Sequence, residues 1–489
     1  MKFERQVKKV KSLMRGHDAV EVLEALYKYM NAEVPNDVER LRRHPWLIML
    51  IAKWNLLENR VHPESAKRLT NQTFNNILGT AYDAGKFVKM PTAGEHYRNL
   101  LRNIAFQQFI YQKPLSSTIV ASNHLLLSAL PENHRINTRF KALTGLEIGD
   151  FNKCCLAIYA VFLKKNSLKM DDLKIIYDKL GKENLEKTLA VLSIDLHKVK
   201  GLVKDNDYSK GTYSEWYEQT PFLRFPIVKY DDTYTCMNIY VFLRCIEGYV
   251  YDLLKHDNSQ SFMDGFGKIF EAYLANGLAY SDCNYIDETV VKGKLPDGVN
   301  VVDFIVSNER SNIFIDAKAV ELPYLGKVSD NPKVILGKVR TSALKAIKQA
   351  NVLNDYILRN ELDKVCSKEN NYLLVVTYKE LYLGNGLDFY ESIAKSEIDE
   401  IMDSVAEEAR IPLENIYFIT LEEFDLMCSV VKGTELSIED ILLHAKKNDS
   451  KSHTMKFDFM QHIDSLGVSV TRPDYLDSAI EQLTDLLPS

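Results

Sequence analysis

The sequence is poor in the residues that usually announce metal, redox or nucleotide chemistry. Seven cysteines are spread over 489 residues, and only Cys154 and Cys155 lie close together. With no Cys-x-x-Cys pair, neither a disulfide framework nor a cysteine zinc site is expected, and the thiols read as reduced. None of the eleven histidines has His-x-x-x-His spacing, and His444, His453 and His462 lack acidic or cysteine companions at ligand spacing. No zinc and no histidine nucleophile are therefore assigned. A Gly-x-x-x-x-Gly-Lys-Ser/Thr phosphate loop is also missing, so any ATP-driven motor would have to be a partner. Long apolar runs are absent: Trp46 to Ala52 is too short to span a bilayer. The opening MKFERQVKKVKSLMRG lacks the apolar core of a secretory signal, so a cytoplasmic location without membrane contact is expected. Tryptophan is scarce, and Trp46, Trp54 and Trp216 lack the spacing of a base-stacking platform; burial in helix packing is expected of each.

What is present is ample material for folding. Hydrophobic residues make up 46% and aromatic residues 10%, and the length calls for more than one domain. Residues 1–210 read as a helical domain of unknown role, with patterns such as Val20 to Met30 and Leu156 to Leu163 and breaks at Pro35, Pro63, Pro91, Pro114 and Pro131. The polar, turn-rich Lys204 to Thr212 marks a boundary. Residues 211–260 read as a connecting hairpin, turning at Asp231-Asp232-Thr233, and a helix. An α/β core over 261–434, a mixed sheet flanked by helices, and a helical extension over 435–489 complete the expected order.

The stretch VNVVDFIVSNERSNIFIDAKAV, residues 299–320, organises this core. Its two arms, Val299 to Val306 and Ile313 to Val320, are β-branched and aromatic, and a polar connection between them predicts a hairpin. If Ser307 faces Asn312, Asp303 falls opposite Asp316 and Val301 opposite Lys318. The other face then carries Val302, Phe304, Val306, Ile313, Ile315 and Ala317, without a polar side chain. Directly opposed residues have Cβ atoms roughly 4.5 to 5.5 Å apart, where like charges destabilise. A divalent cation would compensate the two acids. The alternative is a surface hairpin whose Asp pair is neutralised by Lys318.

Asp303 followed by Asp316-Ala317-Lys318 resembles the PD-(D/E)xK phosphodiesterase superfamily, over roughly residues 260–430. Val302 stands where the motif's proline is common. The resemblance implies an upstream helix supplying another acid, which GFGKIFEAYLANGL offers as Glu271, at the edge of the stripe Phe262, Phe266, Ile269, Phe270, Tyr273, Leu274 and Leu278. Gly265 and Gly267 would allow close backbone approach in that helix. The resemblance further implies Mg²⁺ or Mn²⁺ held by Asp303, Asp316, the Ala317 carbonyl and Glu271, with Lys318 orienting the nucleophilic water or steadying charge on phosphate. Gln349 resembles an accessory glutamine of some relatives. The segment from Pro221 looks like one preceding the nuclease core of large bacterial defence-associated nucleases.

The net charge of −6 does not bar nucleic acid, because phosphate contacts are local. Residues 327–348 hold Lys327, Lys333, Lys338, Arg340, Lys345 and Lys348 against Asp330 alone, a candidate phosphate-tracking segment or a solvated helix face. Lys338, Arg340, Lys345 and Lys348 are the expected nucleic-acid contacts. The opening Lys2, Arg5, Lys8, Lys9, Lys11 and Arg15 are read as a charged helix face. The expectation is a Mg-dependent DNA endonuclease of bacterial anti-phage defence. A ribonuclease with the same site, or a non-catalytic nucleic-acid-binding subunit of a defence complex, remains the alternative, and a partner protein or homo-oligomer is left open.

Overall fold

The computed structural model describes residues 2–90, 97–114, 116–209, 211–296, 298–359 and 365–484. Pro91 and Lys210, within the expected breaks and boundary, lie outside them. The chain is mixed α/β and divides into two compact units, one of Met1–Thr92, Asn103–Asp257 and Glu481–Ser489, the other of Ala93–Arg102 and Asn258–Ile480. The division thus falls at Asp257 and not within Lys204 to Thr212. That polar stretch stays inside the first unit because Asp207 and Ser209 are tied to buried groups there.

The first unit is mainly helical. The helix Pro45–Glu58 starts with proline at its first turn and is apolar almost all round, so it is buried along most of its length. Trp54 on it is fully buried, whereas Trp46 and Trp216 are half-buried. The hairpin expected at Asp231 is present: β3 (Ile227–Tyr230) pairs with β4 (Thr233–Cys236) across a two-residue turn, and Asp231 takes a left-handed conformation (φ 48°). It recruits two very short strands, β1 (Ser167–Leu168) and β2 (Ser193–Asp195), giving the order β1-β4-β3-β2. β1 and β2, within the mostly helical residues 1–210, were not expected, because pieces of two or three residues leave no period in the sequence.

The second unit is built on a five-stranded sheet, β5 (Tyr285–Asp287), β6 (Phe304–Ser307), β7 (Ser311–Lys318), β8 (Asn370–Thr377) and β9 (Ile416–Thr420), in that spatial order. β5, β6 and β7 are antiparallel neighbours, while β7-β8 and β8-β9 are parallel. The β6-β7 register pairs Ser307 with Asn312 and Phe304 with Ile315, as expected from the sequence. The first arm is shorter than expected: residues 299–303 leave the ladder, and the Val301 carbonyl instead accepts from Gln349 Nε2 at 2.6 Å. At the turn, Asn308 Oδ1 accepts from the amides of Arg310 and Ser311 at 2.8 and 2.7 Å, satisfying donors the ladder leaves open. Residues 311–316 of β7 are buried without alternation, the signature of a central strand covered on both faces.

The helix Ser259–Tyr280 is capped by Asn258, which accepts from Ser261 N, and packs beside β7. Phe262, Phe266, Phe270, Tyr273, Leu274 and Leu278 are buried as expected, with Ile269 half-buried. Close approach occurs at Gly277 rather than at Gly267: a Cβ at 277 would lie 2.6 Å from the Phe424 ring, whereas one at 267 would meet nothing within 4 Å. Phe424 belongs to the helix Leu421–Gly433, which opens with a Thr420/Glu423 capping box. After β8 come a π-helical turn, Tyr390–Ala394, the helix Lys395–Asp403 and a short turn at Glu407–Ala409. Helices Ile438–Asp449, Phe459–Asp464 and Asp474–Thr484 follow.

Candidate active site

Where β6 ends its pairing with β7, the chain brings Asp303, Asp316 and Lys318 together. The Ala317 amide donates to Asp303 Oδ2 at 2.6 Å, which fixes the carboxylate across the strand pair. The amide of Glu288 donates to the Asp303 carbonyl at 2.9 Å and holds the same residue from the β5 side. Asp316 is fully buried. Lys318 Nζ lies 2.5 Å from its Oδ2, and among the described residues Asp316 Oδ1 has no hydrogen-bond partner. A buried carboxylate with unused lone pairs is costly unless something else fills them.

Electrostatics follow from this crowding. Burial pushes the Asp303 carboxyl up to about 8, the Asp316 charge adds to the rise, and Lys318 and the Ala317 amide oppose it. Burial also raises Asp316, against Lys318 and, more weakly, Lys345. One proton shared by the two acids near neutrality is the physical consequence. Glu271 is half-buried and raised, first by burial and then by the charge of Glu288. Lys318, Asp316 and Lys292 also act on it. The helix Ser259–Tyr280 therefore does bring Glu271 into the field of the hairpin acids.

Sequence reasoning missed Glu288 and Lys292. They pair at 2.5 Å on the short helix Glu288–Lys292 directly after β5, where an acid in a first helical turn after a strand was the available signal. Gln349 is buried and donates to Val301 O, while its Oε1 has no hydrogen-bond partner among the described residues. It supports the base of the hairpin. Of the basic segment, Lys333, Lys338, Arg340, Lys345 and Lys348 are exposed and Lys327 is half-buried. Arg340 is engaged with Glu397 at 3.1 Å.

A second acidic group was not foreseen. Asp207, Glu215 and Glu218 of the first unit place carboxylate oxygens within 4.8 Å of one another and could hold a metal ion. Among the described residues this is the set with such spacing, and Asp303, Asp316 and Glu271 do not close to it. Lys53 Nζ sits among the three acids, 2.6 Å from Asp207 and 3.3 Å from Glu215 and in contact with Glu218, while Trp54 Nε1 donates to Glu215 at 2.7 Å. One buried ammonium thus faces three carboxylates.

No protein-family model, curated protein or solved structure matches the chain. No helix of the described residues is long and apolar enough to cross a membrane.

Proposed function

We propose that the chain is a metal-dependent nuclease of PD-(D/E)xK type that hydrolyses phosphodiester bonds in DNA, and that it serves in bacterial anti-phage defence. The observation that carries the reading is the Asp303–Asp316–Lys318 constellation at one end of a mixed sheet, with Glu271 reaching it from the preceding helix. The donor set fits Mg²⁺ or Mn²⁺. The ligands are hard oxygens, and among the described residues no donor fills the lone pairs of buried Asp316 Oδ1. Asp303 and Asp316 would hold the ion, with Glu271 and the Ala317 carbonyl as further oxygens, and a bound ion supplies Lewis acidity toward water and phosphate.

The chain's own groups have separable tasks. The Ala317 amide fixes Asp303 so that its carboxylate cannot rotate away from Asp316. Lys318, ion-paired with Asp316 and only 14% exposed at its side chain, offers an ammonium at the one place where negative charge develops on a phosphate during attack. Glu271, half-buried with its carboxyl raised by burial and by the Glu288 charge, is placed to exchange a proton with water. The exposed lysines of residues 333–348 would neutralise flanking phosphates. Cleavage of labelled DNA and RNA with and without Mg²⁺ tests the reading, and preference for RNA would turn it into a ribonuclease.

A further inference from the structure

Most cations around the hairpin are spent on carboxylates. Lys318 is held by Asp316, Lys292 by Glu288 and Arg340 by Glu397. Lys345 is different: it is exposed, and among the described residues no carboxylate lies within ion-pair distance of it. Helix geometry places it beside the hairpin. A π-helical turn, Arg340–Leu344, resets the register immediately before the helix Lys345–Leu358, so Lys345 opens that helix. Gln349, one turn on and on the same side of the helix, is pinned to Val301 O, two residues from Asp303. The first turn is thereby anchored beside the acids, with an uncommitted ammonium at its start.

We propose that Lys345 contacts the very phosphate at which the strand is cut and is a further catalytic residue, whereas Lys338 and Lys348 track the flanking backbone. The proposal rests on the nuclease reading above. Glu288 and Asp316 already hold Lys292 and Lys318, so a polyanion approaching Glu271 and Asp303 needs a further cation, and Lys345 offers one, exposed at the start of the anchored helix. Lys318, paired with Asp316, is left for charge that develops later in the reaction.

The test uses the full-length chain with Lys345→Met, which keeps length and loses charge, and Lys345→Arg, which keeps charge. Single-turnover cleavage at saturating DNA is expected to fall about tenfold or more in Lys345→Met and to recover largely in Lys345→Arg. DNA affinity measured in Ca²⁺ should change by less than about threefold, since only one phosphate among several goes unneutralised. Without nucleic acid, Lys345→Met should bind Mn²⁺ roughly fivefold more tightly, because a cation has been removed from beside the ligands. A cleavage defect that disappears at saturating DNA, or an unchanged Mn²⁺ affinity, overturns the role of Lys345 alone. A wild type that binds Mn²⁺ but cuts neither DNA nor RNA overturns the nuclease reading and this proposal with it.

Discussion

Asp303→Asn isolates the cost of holding two acids together. The asparagine Oδ1 can still accept from the Ala317 amide, so geometry is preserved while one ionisable group is removed. In the wild type the Asp303 carboxyl is pushed up to about 8 from an ordinary 3.8, chiefly by burial. The folded state therefore binds more protons than the unfolded chain between those values, and stability falls as pH rises through that window. The full shift corresponds to a loss on the order of several kcal/mol, spread over the coupled pair. In EDTA, the wild type should lose stability between about pH 4 and about pH 8, and Asp303→Asn should lose much less. Hydrogen-exchange protection of residues 311–318 reads this locally, which matters in a chain of two compact units. Mg²⁺ should reverse the order at high pH, because the wild type gains from a ligand that its folded form binds and the variant has lost one anionic oxygen. Parallel pH profiles for the two proteins, with equal Mg²⁺ shifts, would refute the sharing of one proton and one metal by Asp303 and Asp316.

Other consequences follow from the same geometry. Lys318→Met should reduce cleavage by about a hundredfold or more at unchanged DNA affinity, measured by single-turnover kinetics, since its charge acts in the transition state. Neutralising Lys333, Lys338 and Lys348 together should weaken DNA binding and lower the salt slope by roughly 0.9 for each phosphate left without its lysine. A slope equal to wild type would move the binding surface elsewhere. Lys53→Met leaves Asp207, Glu215 and Glu218 buried without their counter-ion and should cost about 3–5 kcal/mol in denaturant unfolding. Gln349→Leu removes the donor to Val301 O and should cost about 1–3 kcal/mol, with exchange of the hairpin amides rising first.

The hairpin was legible because its information is local. β-branched arms, a polar turn and residue alternation fix register within a score of residues, and the pairing of Phe304 with Ile315 agrees. The strands Asn370–Thr377 and Ile416–Thr420 likewise carry their signal locally, in the apolar runs Tyr372 to Val376 and Ile416 to Ile419. The Lys53 cluster was not. Lys53 and Glu215 are 162 residues apart, and nothing in a lysine on an apolar helix names the acids it will meet. Glu288 escaped notice because its relation to Glu271 exists only once β5 pairs with β6. Gly277 shows the same limit, since its need for a bare Cα is set by Phe424 on a distant helix.

The most direct test incubates the purified chain with end-labelled DNA and RNA in Mg²⁺, Mn²⁺ or EDTA, beside Asp303→Asn prepared in the same way. A metal-dependent nuclease built on Asp303 and Asp316 should cleave DNA only with the divalent cation, and cleavage should disappear in Asp303→Asn. Wild-type protein that cuts no substrate in either metal, or an Asp303→Asn variant that cuts as well as wild type, would contradict it.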